Sequence, residues 1–395
     1  MKKIIIMFMI FLCLNSYVNA IELYSKNYVL YNIQEDEIII ENNKDEKVNI
    51  ASLTKIFTVM IAIENIPNYE KEVIITSEML KGLKEANAVV AGFKVNQKVT
   101  YNDLFYGALL PSGADATRAL AILISGSEEE YAKLMSNRVK ELGLENTHFV
   151  NSSGLDDEMQ YSSVNDVLTF LEYALKNSKF KEIYTTRKYE ISDGSFKVES
   201  TLEFMNKNLK LDSSYIVGSK TGYTGLAGRC LSSLAHDEKN NIDYILITVG
   251  APSSYESGYH FRDADKVYNY VFENYKYVTF DIETKIINTK YSEIKEVEIL
   301  PAKTVKKYYG PEYDESKLDI VYDLPEETKP ILKDTKIGTA TIKYDNEIIE
   351  TVDLIISEDI PFSFMVFVLE PVVIYTSLSI IVVFTIIILI RKRHK

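Results

Sequence analysis

Ser52 and Lys55, in the stretch ASLTKIF, stand three residues apart where a long helical pattern begins, so their side chains share one face about one turn apart. A serine hydroxyl is a poor nucleophile until a base takes its proton, and a lysine serves as that base once burial or a neighbouring positive charge lowers its pKa. At a helix start the amide hydrogen of Ser52 is also free to stabilise an oxyanion. Taken alone, the pair reads more simply as a helix cap followed by a surface lysine. A second stretch, GSKTGYTG at residues 218–225, ends an apolar strand with a lysine, a hydroxyl and a glycine. There Gly222 would let a substrate backbone approach, Thr221 could hold a carboxylate, and Lys220 could supply the charge that depresses the pKa of Lys55. A polar hairpin is the plainer reading of the same residues. In LLPSGADATRAL, residues 109–120, Ser112 stands on a turn between two apolar helical segments, and with Asp115 three residues on it has the spacing of a helix N-cap.

Other chemistries lack their residues. The four histidines, His148, His236, His260 and His394, include no His-Glu-x-x-His pair, so a zinc hydrolase has no ligands. No Gly-x-Ser-x-Gly elbow is present, and GSKTGYTG has Ser219 directly before its lysine where a phosphate-binding loop needs glycine. Neither a metal nor a cofactor is expected. The net charge of -13 excludes a general nucleic-acid binder. The first twenty residues, MKKIIIMFMIFLCLNSYVNA, have the layout of a secretory signal peptide over 1–20. Cys13 falls inside it, which leaves Cys230 alone in the mature chain, without an internal disulfide or a cysteine metal site.

The elements that must position these residues follow from periodicity. Residues 22–50 alternate as strands, with Asn42, Asn43, Lys44 and Asp45 as a turn. From Ser52 to about residue 180 apolar positions recur at three and four, and Thr100 with Asp103 makes a capping pair. Strands return in YIVGSKTGYTG, AGRCLSSLA and DYILITVGA, followed by one helix in DADKVYNYVFENYKY. This order predicts an α+β domain over 21–278, an antiparallel sheet covered by helices. Short alternating runs rich in Val, Ile and Thr predict a small all-β domain over 279–360, then a linker over 361–370. Residues 371–390 form an uncharged apolar stretch, about 30 Å long as a helix, and the basic tail RKRHK follows at 391–395. A single-pass protein of the cell membrane is expected, with its C-terminus cytoplasmic and its catalytic domain extracytoplasmic.

Ser-x-x-Lys at 52–55, Ser112 between helices and Lys-Thr-Gly at 220–222 resemble, in order and spacing, the motifs of the penicillin-recognising serine enzymes. Within that group the chain is similar to the low-molecular-mass penicillin-binding proteins, serine-type D-alanyl-D-alanine carboxypeptidases of peptidase family S11. The segments GFKVNQKVTYNDLFYGALLPSGADA, LGLENTHFVNSSGLDDEMQYSSVNDVL and VGSKTGYTGLAGRCL carry the likeness beyond the motifs. The resemblance implies a β-lactamase/transpeptidase-like catalytic fold and removal of the terminal D-alanine from peptidoglycan pentapeptides, with β-lactams as covalent inhibitors. It implies that Ser52 attacks the penultimate carbonyl, Lys55 takes the proton, and Ser112 relays it to the leaving amine in contact with Lys220. Thr221 and Arg262 would bind the terminal carboxylate, and the backbone amides of Ser52 and Tyr223 would form the oxyanion hole. One position departs from the pattern: Ala114 stands where the family usually has asparagine. That substitution is the ground for one alternative to the carboxypeptidase, a weakly catalytic wall-binding protein; a class A-like β-lactamase is the nearest enzymatic alternative, and the extra β-domain, the apolar C-terminus and the missing Glu-x-x-x-Asn signature stand against it. The sequence carries no sign of the oligomeric state.

Overall fold

The computed structural model describes residues 21–203, 205–254 and 257–393. The expected signal peptide and the last two residues of the basic tail lie outside the described residues. Two compact units divide the chain, Met1–Asn274 and Tyr275–Lys395.

The first unit opens with a hairpin of β1 (Asn27–Asn32) and β2 (Glu37–Asn42). After a 3-10 turn at Ala51–Leu53 comes α1 (Thr54–Asn65). Its sequence, TKIFTVMIAIEN, is apolar on nearly every side, and such a helix is stable only when enclosed. Residues 54–63 are accordingly all buried, Lys55 among them. Next follow β3 (Glu72–Ile74), α2 (Ser77–Leu80) and β4 (Lys98–Thr100), the two strands pairing with each other. The capping pair read from sequence is in place at the start of α3 (Tyr101–Leu109), where Thr100 accepts from the Asp103 amide and Asp103 accepts from the Thr100 amide. The helical block continues through α4 (Ala114–Ser125), α5 (Glu128–Glu141), α6 (Val164–Leu175) and α7 (Ser178–Thr185). A small hairpin of β5 (Lys188–Glu190) and β6 (Lys197–Glu199) precedes the long strands β7 (Ile216–Thr224), β8 (Gly228–Asp237) and β9 (Ile242–Ala251), and α8 (Tyr259–Asn274) closes the unit.

The main sheet runs β2-β1-β9-β8-β7, antiparallel throughout, so the N-terminal hairpin joins strands from the far end of the unit. This is the α+β arrangement expected from strands, a helical insertion and strands again. It leaves β7, which carries Lys220 to Tyr223, on an edge with one unpaired ladder side, a place where an extended peptide can add as a further strand. The end of the unit is tied to its start: the Asp263 carboxylate of α8 accepts from the amides of Tyr24 and Ser25 and from the Ser25 hydroxyl, at 2.6 to 2.8 Å.

The second unit is β-rich, as its alternating sequence predicts. Its strands are β10 (Lys276–Phe280), β11 (Lys285–Thr289), β12 (Glu296–Pro301), β13 (Val305–Tyr309), β14 (Leu318–Asp323), β15 (Glu327–Thr328), β16 (Lys336–Tyr344) and β17 (Glu347–Ile356). Six of them form a sheet in the order β14-β16-β17-β12-β11-β15, over a core that includes Val297, Ile299, Ile342, Val352 and Leu354. The segment between the strands and the apolar C-terminus holds a six-residue helix, α9 (Phe364–Leu369). Finally α10 (Pro371–Arg393) is long and apolar enough to cross a membrane, with none of its residues buried in protein, and is a candidate membrane anchor.

Candidate active site

Ser52 lies in the 3-10 turn just before α1, and the preceding Ala51 has a positive φ of 46° that turns the chain sharply into the helix. Lys55 lies one turn further on and is almost fully enclosed. Its Nζ is 2.9 Å from Ser52 Oγ and donates to the carbonyl oxygen of Ser153 at 2.6 Å. Burial is the main influence on this amine and lowers its pKa to about 7, against the opposing pull of the Asp115 and Glu128 carboxylates. The sequence reading looked to Lys220 for the charge that depresses Lys55, and the structure places the cause in enclosure instead. Lys220 is itself fully buried and donates to its neighbour's carbonyl, Thr221 O, at 2.8 Å. Burial, and then the charge of Lys55, hold its pKa well below the usual lysine range. Both amines are thus biased toward the neutral form, in which an amine can accept a proton.

The segment that receives Lys55 carries roles the sequence reading did not assign. Asn151 Oδ1 accepts from the amides of Ser153, Gly154 and Leu155, folding residues 151–155 into a tight turn that aims the Ser153 carbonyl at Lys55. Glu128, at the start of α5, accepts from the amide and hydroxyl of Ser152, and Thr58 of α1 donates to Ser152 O at 2.7 Å. Gly154 has a φ of 82°, and a Cβ there would meet Ala51 O at 1.9 Å, so this turn packs directly on the one that bears Ser52. A polar Asn-Ser-Ser-Gly run between two helical segments was the available signal, and it reads as an ordinary loop until Lys55 is placed against it.

On β7, Gly222 has a use beyond substrate approach: a Cβ would lie 2.9 Å from the Ser52 amide nitrogen, so glycine lets the edge strand close on the nucleophile's turn. Thr221 Oγ1 donates to Thr201 Oγ1 at 2.8 Å, which fixes its hydroxyl. Tyr223 is 45% exposed, with the Arg229 guanidinium over its ring at 4.3 Å. Arg262 sits in the first turn of α8, and its Nε donates to Ser257 O at 2.7 Å; among the described residues no hydrogen bond joins it to Thr221 or Lys220.

Ser112 does not cap α4. The N-cap is Gly113, without a side-chain cap, and Ser112 is held in the left-handed region with a φ of 70°. A non-glycine residue there costs of order 1 kcal/mol or more and persists only where its surroundings impose it. The reciprocal half of the expected pair is missing as well, because the Asp115 carboxylate accepts from the amides of Ala91, Gly92 and Phe93 at 2.7 to 3.1 Å. The same contacts show that Asp115 does not substitute for the asparagine absent at Ala114. Ala114 is buried at the first position of α4 and its amide donates to Val89 O. No hydrogen bond among the described residues joins Ser112 to Lys55 or Lys220.

A hydroxyl paired with an amine poised near neutrality, beside a strand edge open to a peptide, is equipment for acyl transfer through a serine ester. It places the chain among the serine hydrolases. The comparisons narrow the class. Residues 15–253 match the D-alanyl-D-alanine carboxypeptidase family, peptidase S11, and residues 272–361 match the C-terminal domain of penicillin-binding protein 5. The chain belongs to that carboxypeptidase family. It is 29% identical over 350 residues to the D-alanyl-D-alanine carboxypeptidase DacF of Bacillus subtilis (strain 168), covering 85% of each chain. The D-alanyl-D-alanine carboxypeptidase of Streptomyces sp. (strain K15) is 31% identical over 242 residues, 58% of this chain and 80% of that one. A solved structure of penicillin binding protein 5 from Haemophilus influenzae shares the fold with a TM-score of 0.60 at 24% identity, covering 86% of this chain and 98% of that one. Membership carries the carboxypeptidase reading and not the lactamase one.

Proposed function

We propose that the protein removes the terminal D-alanine from peptidoglycan pentapeptides by way of an ester on Ser52. It is a D-alanyl-D-alanine carboxypeptidase acting in cell-wall biogenesis. The observation that carries the mechanism is the 2.9 Å contact between Ser52 Oγ and an enclosed Lys55 whose pKa is about 7. In the neutral form Lys55 accepts the Ser52 proton as the oxygen attacks the penultimate carbonyl. The tetrahedral oxyanion is met by the backbone amides of Ser52 and Tyr223. Its collapse breaks the C–N bond, and the proton passes from Lys55 by way of Ser112 to the departing amine of D-alanine. Thr221 and Arg262 receive the terminal carboxylate, and Lys220 takes up a proton from water as that charge arrives. Water then attacks the ester, Lys55 again serving as base, and Ser52 is restored.

The alanine at position 114 is compatible with turnover because Lys55 has an anchor that does not depend on it. A neutral amine has two hydrogens and one lone pair. One hydrogen goes to Ser153 O, which leaves the lone pair of the neutral amine for the Ser52 hydroxyl 2.9 Å away. β-Lactams, which present a strained amide at the same carbonyl position, would acylate Ser52 and remain. The apolar α10 with its basic end would anchor the protein in the cell membrane, the catalytic unit outside and the C-terminus inside.

The test pairs release of D-alanine from a muramyl pentapeptide with covalent labelling by a fluorescent penicillin. The wild-type protein does both, and Ser52→Ala does neither while keeping its far-UV circular dichroism and melting temperature. Labelling of Ser52→Ala would assign the nucleophile to another residue; rapid penicillin turnover without D-alanine release would convert the assignment to a lactamase.

A further inference from the structure

The segment joining the β-rich unit to α10 has a sequence unlike any linker exposed to water. All six residues of α9, FMVFVL, are apolar. Val366 and Phe367 are half-buried, whereas Phe364, Met365, Val368 and Leu369 are open to the surroundings, at 68%, 67%, 40% and 64% exposure. At 100° per residue those four span one broad side of the helix, the side that a helix in water makes polar.

This helix is not loosely attached. The Ser363 amide donates to Tyr291 O at 2.7 Å, the Ser363 hydroxyl reaches Glu293 at 3.3 Å, and the Tyr291 ring meets Phe367 edge-on at 5.2 Å between centroids. Phe362 adds a second ring against Phe367 at 5.7 Å and is itself 55% exposed. Tyr291 makes its contacts from a φ of 59°, a conformation that a bulky residue holds only under constraint. The turn after β11 is therefore clamped to the helix, and the apolar side of that helix points away from the clamp.

We propose that α9 lies in the headgroup layer of the membrane, its Phe364, Met365, Val368 and Leu369 side among the upper acyl chains, and that the Tyr291–Ser363 clamp holds the β-rich unit against the bilayer surface. The occupant follows from chain continuity. Leu369 is two residues before Pro371, where the apolar span begins, so the chain allows at most about 7 Å between them. The polar layer on each side of a hydrocarbon core is itself about 5–8 Å deep. With α10 inserted, which is the reading of that helix this inference rests on, Leu369 stays within the interface, and the six-residue helix has only to lie along the surface for the rest of its open side to stay there. Aromatic residues are the ones that settle at that depth.

The chain contains no tryptophan, so single substitutions in the full-length protein give unambiguous fluorescence reporters. Met365→Trp tests the helix, Phe384→Trp tests the span, and Ile348→Trp, at the other end of β17, reports a position in water. Each is reconstituted in phosphatidylcholine/phosphatidylglycerol vesicles with and without lipid brominated near the top of the acyl chains, and titrated with iodide; Phe364→Trp replaces Met365→Trp if the latter fails to bind penicillin. Met365→Trp is expected to emit to the blue of Ile348→Trp, to lose roughly half its intensity to the brominated lipid and to resist iodide. Iodide quenching of Met365→Trp equal to that of Ile348→Trp, with Phe384→Trp quenched by brominated lipid, overturns the proposal and leaves the anchor standing. A blue-shifted Met365→Trp insensitive to brominated lipid overturns it too, since a protein surface then covers the helix. Phe384→Trp untouched by brominated lipid in the same vesicles removes the anchor and this proposal together.

Discussion

The pKa of Lys55 makes a quantitative demand on the rate of acylation. Enclosure lowers it from 10.5 to about 7, a preference for the neutral amine of about 5 kcal/mol. With that value about a tenth of the molecules hold neutral Lys55 at pH 6 and about nine tenths at pH 8, so acylation should rise roughly tenfold between the two and level off above pH 8. A lysine with its ordinary pKa would behave differently in shape, rising about a hundredfold over the same interval and continuing upward through pH 9. The assay is the pseudo-first-order rate of labelling by a fluorescent penicillin from pH 5 to 9.5, at constant ionic strength and well below saturation, with circular dichroism at each end of the range. Lys55→Arg is the control, since a guanidinium keeps the charge but never supplies a base, and its labelling should be negligible at every pH. A logarithmic slope of one that persists to pH 9, or a rate indifferent to pH between 6 and 8, would falsify the assignment of Lys55 as an enclosed base.

Three further substitutions probe what surrounds that pair. Glu128→Gln removes a carboxylate that raises the Lys55 pKa while keeping an acceptor for the Ser152 amide, so the midpoint of the acylation profile should move to lower pH; an alkaline shift would show that Glu128 acts on Lys55 through something other than its charge. Gly154→Ala forces a Cβ onto Ala51 O at a positive φ and should cost about 3 kcal/mol, a fall in melting temperature of roughly 6–12 °C, together with most of the labelling. An unchanged melting curve would mean the two turns do not touch as described. Ala114→Asn should speed acylation by up to about tenfold by restoring an amide beside the reacting groups, and a slower enzyme would indicate a site rebuilt around alanine.

Much of this was legible in the residues. Ser52 and Lys55 are separated by three positions, so a helix alone brings them together, and the Thr100–Asp103 box needs nothing beyond its own turn. The strands of the second unit follow from alternation, as in β14, whereas β8 and β9 are buried on both faces of the main sheet and β9 reads as a nearly continuous apolar run. What the sequence could not display depends on partners far along the chain. Ser112 with Asp115 has the spacing of a cap, yet the carboxylate is drawn to the amides of residues 91–93 and the serine is left in a left-handed conformation, a tertiary competition that no local pattern encodes. The Ser153 carbonyl meets Lys55 across 98 positions of sequence. The motif supplies an amine and a hydroxyl, but the basicity of that amine is a property of its enclosure: α1 is buried, the 151–155 turn closes over its start, and Gly154 and Gly222 remove the two Cβ atoms that would keep the walls apart. Chemistry at Ser52 thus depends as much on residues without reactive groups as on those that have them, and substitutions at the glycines should reach the rate through the pKa of Lys55.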